Sequence, residues 1–221
     1  MARKTKEEAA ATRGRILDAA ITVFLECGVS RASLLDVASA AGVSRGAVYW
    51  HFVDKAALFD ALMMERATLA LQCGLQEFHG VVSADPLRDL RNYTLAVLRL
   101  VDSNPGLRQV FEIALLKVEH VEILGSVQRQ RRLGMAAWLS CAERYVRLAR
   151  ELGLVARNTD SHMVGLSVWS LMEGLLRTWL LDLNEVKLLR LGEFMIDTYI
   201  TGLRAVAPVA DEAHAECVVR R

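Results

Sequence analysis

Residues 33–55 read SLLDVASAAGVSRGAVYWHFVDK, and their punctuation spells two short helices, a tight turn and the start of a third helix. Ser33 is placed to cap the first, with Leu34, Leu35, Val37 and Ala38 as its apolar side. Gly42 falls where the chain must pass through left-handed backbone, which glycine reaches without a Cβ clash. Val43 then points back to the core, and Ser44 caps a second helix carrying Arg45, Ala47, Val48, Tyr49, Trp50 and His51. That order is the layout of a helix-turn-helix, whose second helix enters the DNA major groove.

An aromatic run on a short helix usually means core, and Phe52 is assigned there. Tyr49, Trp50 and His51 are consecutive, so they span about 200° of helix and cannot all face inward. Their rings carry donors that reach phosphates and faces that pack on sugars or thymine methyls. Arg45 offers a guanidinium for guanine or phosphate, and Gly46 lets the helix approach the DNA backbone. Ser33 and Ser44, at helix N-termini, can donate to phosphate oxygens, and Lys55 is expected to add a charged phosphate contact.

Working outward, the 221-residue chain is 53% apolar with three prolines, which favours a compact helical protein. Cys27, Cys73, Cys141 and Cys217 lie far apart and read as reduced thiols rather than a disulfide frame. The basic start has no apolar run behind it and is not a secretion signal. Met163–Leu181 is long enough to span a bilayer but contains Glu173 and Arg177, so no membrane partner is expected and a cytoplasmic location is. A net charge of +1 does not by itself announce a polyanion partner. Arg3, Lys4, Lys6, Arg13 and Arg15 make a local basic end that suits phosphate or simply faces solvent.

Caps, glycines and prolines divide the chain into about nine helices with no strand-type alternation, an all-α protein. The first helix is expected to open on the capping box Thr5-x-x-Glu8 and stop before Gly28, and the fourth to run from Lys55 to His79. Asp85-Pro86 and Asn104-Pro105 mark two later starts. Further helices are expected over about 126–152, 160–181 and 185–205. This divides the chain into an expected three-helix DNA-binding module over 1–54, a larger helical bundle over 55–207, and a tail over 208–221 expected to be poorly ordered. The fourth helix begins in one unit and passes into the other, a placement suited to mechanical coupling.

The stretch from Met1 to about Leu62 resembles the N-terminal module of TetR-family regulators, closest in pattern to AcrR-like repressors of multidrug efflux. MARKTKEEA, TRGRILDAA and GVSRGAVYWHFVDKAALF carry the resemblance. Beyond it the likeness thins to helix layout and fragments such as EIALLKVEH and GLLRTWLLD, with Val118 where relatives often have cysteine. The resemblance implies DNA contacts from Ser33, Ser44, Arg45, Gly46, Tyr49, Trp50, His51 and Lys55. It also implies a ligand pocket in the second unit, a homodimer on double-stranded operator DNA, and no cofactor.

Polar residues inside apolar helices are the informative ones in that second unit, because a buried polar group needs a partner. Cys73, Gln76, Asn92, Glu112, Glu119, His120, Gln130, Trp138, Arg144, Trp169 and Glu173 qualify, though surface exposure or an internal ion pair is the ordinary fate of each. With Met63 and Ala67, a set drawn from them (Gln76, Asn92, Glu112, Gln130, Trp138, Trp169 and Glu173) is expected to line a pocket for a small hydrophobic or cationic effector. Glu119, His120 and Glu122 diverge around a helix and do not form a metal site. Ser170, Gly174 and Thr178 make a small-residue stripe that admits a partner helix, either within the subunit or across a two-fold dimer. An enzyme fits poorly, with no phosphate-binding Gly-rich loop and no Cys–His pair at informative spacing. An activator, a repressor without an effector and a purely structural helical dimer stand as alternatives, the last leaving the Tyr-Trp-His run unexplained.

Overall fold

Local capping sets the frame. The computed structural model describes residues 6–78, 83–118, 124–183 and 185–205. Helix α1 (Lys6–Cys27) ends at Gly28, whose φ of 80° is open to glycine at little cost. Then come α2 (Leu34–Ala40), α3 (Arg45–His51) and α4 (Lys55–Leu62). A π-helical turn (Met63–Thr68) joins α4 to α5 (Leu69–Gly74), and a short 3-10 turn (Gln76–Phe78) follows. The second unit continues with α6 (Pro86–Ser103), α7 (Pro105–Leu116), α8 (Leu124–Glu151), α9 (Ser161–Leu181) and α10 (Leu188–Ala205). No strand occurs among the described residues, and none of their helices is long and apolar enough to cross a membrane.

The prolines and their caps behave as their chemistry dictates. Asp85 accepts from the Arg88 amide and Asn104 from the Leu107 amide, each just before a proline at the first helical position. Asp160 likewise caps α9 through the amides of His162 and Met163. In the first unit Ile16, Leu17, Ala20 and Phe24 of α1 are fully buried with Val37, Val48 and Phe52. That core is continuous with the larger one, because Leu58, Phe59 and Leu62 of α4 are buried as well. In the second unit α8 packs on α9, and α10 lies against both α9 and α6. The α6–α10 seam is also ion-paired: Arg204 donates to Asp85 at 2.5 Å, Arg91 to Asp197, and Arg99 faces Glu193 at 3.7 Å.

Several expectations need correction. Leu35 is 59% exposed, because it lies about 100° round from Leu34 while Val37 and Ala38 complete the inward stripe. The fourth helix is not uniform: its hydrogen bonding widens over Met63–Thr68 and it leaves helical geometry at Leu75, before His79. The last helix starts at Leu188 rather than 185, since Asp182 Oδ1 holds the Glu185 amide in a turn. Thr5, His79, Gly80, Glu119, His120, Glu122 and the tail 208–221 lie outside the described residues.

Candidate DNA interface and effector cavity

Ser33 and Ser44 build the reading head. Ser33 Oγ accepts from the Asp36 amide while the Asp36 carboxylate accepts from the Ser33 amide, closing a reciprocal capping box. The Ser33 hydroxyl also donates to that carboxylate at 2.7 Å, and together with the Ser33 amide it holds the Asp36 carboxyl below its ordinary range. Gly42, at φ 62°, turns the chain, and Ser44 Oγ accepts from the Ala47 amide to start α3. Val48 faces the core with no exposure, which fixes the roll of α3 and sends its neighbours outward. Trp50 is 73% exposed and Tyr49 45%; Arg45 and Gly46 are exposed and His51 is half-buried. The Arg45 guanidinium lies 5.2 Å from the Tyr49 ring centroid, and Trp50 meets His51 edge-on at 4.5 Å. Exposed rings held by cation–π and edge contacts cost solvation in the free protein and present flat donor-bearing surfaces to a partner.

Lys55 has a different occupation from the one expected. Its ammonium donates to the carbonyls of Ser30 and Ala32 at 2.7 and 2.8 Å, so it fastens the α1–α2 loop to the head of α4. A cation held between carbonyls is a positioning group rather than a free phosphate ligand. Residues 42–46 also spell the G-x-S-x-G of a nucleophile elbow. Ser44 follows a helix rather than a strand, and its hydroxyl is spent on a cap.

The rod formed by α4, the π turn and α5 has two faces. Towards α1, Glu65 accepts from Arg13 at 2.5 Å, and Arg66 donates to Asp18 at 2.7 Å and approaches the Gly14 carbonyl at 3.5 Å. On the other face Met63, Ala67 and Thr68 line a cavity of about 560 Å³. Its walls are otherwise Phe59, Leu71 and Leu75 from the rod and its end, Tyr93 and Val97 from α6, Phe111 from α7, Trp138 from α8, and Trp169, Met172 and Leu176 from α9. Gln72, Gln76 and Glu173 supply polar groups, and Glu173 is the charged residue of the described lining. Its carboxylate accepts from the Trp169 indole at 3.0 Å. The far end of the rod is clamped too, with Tyr145 and Arg144 of α8 donating to the Phe78 carbonyl at 3.2 and 3.4 Å. Burial raises the Tyr93 and Tyr145 phenols and the Cys141 thiol.

Of the expected ligand residues, the structure gathers Met63, Ala67, Gln76, Trp138, Trp169 and Glu173 around this one space. Asn92 and Glu112 are not among its described lining; Glu112 faces Lys117 at 3.8 Å instead. Cys73 is exposed, and Arg144 serves the clamp at Phe78. Gln130 is a residue of α8 whose side chain is outside the described set. Phe59, Tyr93 and Phe111 were missed because an aromatic on an amphipathic helix looks like ordinary core; only convergence of three helices distinguishes them. No group of metal-binding side chains occurs among the described residues.

Ser170, Gly174 and Thr178 are exposed and, with Leu171, Leu175, Leu191 and Met195, line a shallow groove of about 230 Å³ between α9 and α10. Phe194 and Leu181, 70% and 71% exposed, extend the apolar face.

Comparison with known proteins gives the family and the fold. The family described as "Bacterial regulatory proteins, tetR family" matches residues 16–62, and "MAATS-type transcriptional repressor, C-terminal region" matches residues 85–205. The HTH-type transcriptional regulator TtgR of Pseudomonas putida is 33% identical over 215 residues, covering 92% of this chain and 97% of the relative. The HTH-type transcriptional regulator AcrR of Shigella flexneri is 35% identical over 187 residues, covering 81% and 83%. Among solved structures, NalD, the secondary repressor of the MexAB-OprM multidrug efflux pump in Pseudomonas aeruginosa, superposes with a TM-score of 0.76 at 30% identity, covering 90% of this chain and 98% of that one. A complex of SmeT with triclosan gives 0.74 at 29% identity, covering 87% and 91%.

Proposed function

The chain belongs to the TetR family of bacterial regulatory proteins, and from that premise we propose that it is a ligand-responsive repressor of a multidrug-efflux operon. It occupies a palindromic operator as a homodimer. Arg45, Gly46, Tyr49, Trp50 and His51 of α3 enter the major groove, and the N-terminal amides of α2 and α3, beside Ser33 and Ser44, meet phosphates. Two-fold pairing through the α9–α10 face, with Ser170, Gly174 and Thr178 at its centre, sets two reading heads about one helical turn, ~34 Å, apart.

The observation that carries the reading is the double duty of one rod. Met63, Ala67 and Thr68 border the cavity, while Glu65 and Arg66 of the same π turn hold α1 of the reading head. The rod is fastened at both ends, by Lys55 to the loop before α2 and by the Phe78 carbonyl to α8. A guest that displaces the π turn therefore pulls on Arg13 and Asp18, and so on the spacing of the heads. Aromatic walls carrying the acid Glu173 favour bulky apolar guests, including cations that answer it. Such a guest acts only if it binds the released conformation better than the DNA-bound one.

The test is an operator-binding titration with ethidium and with triclosan. Release of DNA by at least one of them at concentrations that saturate the protein is the expected result. If each binds and neither weakens operator affinity, the repressor has no effector site here.

A further inference from the structure

The cavity wall holds two indoles, and only one of them has its hydrogen bond. Trp169 donates to Glu173 at 3.0 Å. Trp138, 4% exposed, has no acceptor for its Nε1 proton and no solvent at that atom. Buried indole N–H groups ordinarily find a partner, because leaving one unmet forfeits the hydrogen bond it had with water. The neighbouring groups are already committed or apolar: the Tyr93 ring stacks on Trp138 at 6.3 Å, its hydroxyl meets Cys141, and Trp169 packs at 6.0 Å. Trp138 also lines the cavity, so a guest held there is placed to bring an acceptor to the indole.

We propose that the Trp138 N–H is the specificity donor of the effector site, and that preferred guests are flat aromatic molecules bearing an exposed carbonyl or equivalent acceptor. Because neighbouring atoms cover the nitrogen, the guest meets it by tilting the indole within its stack on Tyr93. Glu173 is not a substitute for this contact, since an acid repels the acceptor that Trp138 needs. The cavity thus selects by two separate devices, a carboxylate for positive charge and an indole proton for a neutral acceptor. This inference rests on the cavity being the effector site.

The probes are 9-fluorenone and fluorene, nearly the same shape and differing by a carbonyl. Calorimetric titration of the wild-type protein is expected to favour fluorenone by about tenfold, the order of one well-made hydrogen bond. In W138F the preference is expected to fall to near unity through weaker fluorenone binding, while W169F keeps it. The melting temperature of W138F should not drop for want of a hydrogen bond, since none is lost. If W138F does not fold, benzothienylalanine at position 138 keeps the bicycle without the N–H and reads the same ratio. An unchanged preference in the variant lacking the N–H, or equal binding of both probes to the wild type, overturns the proposal and leaves the effector site standing. Binding of neither probe to the wild-type protein likewise overturns the proposal, while ethidium and triclosan decide the effector site itself.

Discussion

The reading head and the cavity wall use the same residue types under opposite conditions. On α3, Tyr49 and Trp50 are adjacent in sequence, ride on seven residues and face solvent. In the wall, Trp138 and Trp169 come from α8 and α9, touch across 6.0 Å and are withdrawn from solvent, Trp138 almost wholly. An aromatic that is exposed because its neighbours force it outward announces a partner by local geometry alone. One that lines an internal space acquires its role only when distant helices converge. The first is a property of a segment and the second of a fold.

If that contrast holds, damage to the head should be local and damage to the body should act through assembly. The largest effect is expected from Gly174→Glu. Nothing lies within 4 Å of where its Cβ would sit, so the subunit tolerates it, whereas a dimer would bury a charge against its own copy. Sedimentation should show a monomer with unaltered far-UV dichroism, and operator affinity should fall by about two orders of magnitude or more as one half-site contact is lost. A dimer of wild-type mass would place the two-fold face elsewhere. Next, Tyr49→Ala should weaken operator binding by roughly 10- to 100-fold, in line with the loss of a base-reading contact, with far-UV dichroism and dimer mass unchanged. Undiminished binding would mean that the head does not read DNA with α3.

A middle-sized effect should separate the two regions cleanly. Gly134 borders the cavity on α8 and has open space beyond its Cα. Gly134→Leu should stabilise the helix by up to about 1 kcal/mol, weaken effector binding roughly tenfold by occupying the space, and leave operator binding alone. The link between the regions should be subtler. Arg13 and Glu65 are each about one-third exposed, so their pair contributes under about 1 kcal/mol. Glu65→Gln should leave both affinities nearly intact while cutting the effector-induced drop in operator affinity a few-fold, measured as the ratio of the two binding constants.

The smallest effect concerns acid. Burial alone would raise the Asp85 carboxyl, but Arg204 and the Arg88 amide bring it below its ordinary 3.8; Arg91 does the same for Asp197. A carboxyl with a lowered folded-state value contributes stability that is fully present above 3.8 and lost as pH falls through the lower value. Melting temperature should therefore be flat above about pH 4 and decline below it, less steeply in Asp197→Asn. Both carboxylates are at least one-third exposed, and solvent screening keeps the contribution small.

These outcomes also mark what the sequence could and could not convey. The head was readable because caps, a turn glycine and a consecutive aromatic run act within a few residues of each other. Leu35 misled because a run of apolar letters does not say where the stripe ends. In the body, Trp138, Trp169 and Glu173 stood out as polar-tipped residues in apolar helices, yet nothing local distinguished them from Asn92 and Glu112, which lie off the cavity. Tyr93 and Phe111 gave no signal, since residues of a pocket wall and residues of a core obey the same periodicity. The charge of Lys55 suggests a phosphate, but the carbonyls that claim it lie more than twenty residues upstream.

One consequence of the π turn concerns phase. Phe59, Met63, Ala67, Leu71 and Leu75 all border the cavity at intervals of four. On an unbroken α-helix each such step overshoots a full turn by about 40°, so residues sixteen apart would drift roughly 160° and face opposite ways. The wider turn over Met63–Thr68 runs slower than the helix on either side and takes back part of that drift. It keeps five side chains in file along one wall. Excising a single residue from it would swing the downstream stretch by about 100° and turn Leu71 and Leu75 away from the guest.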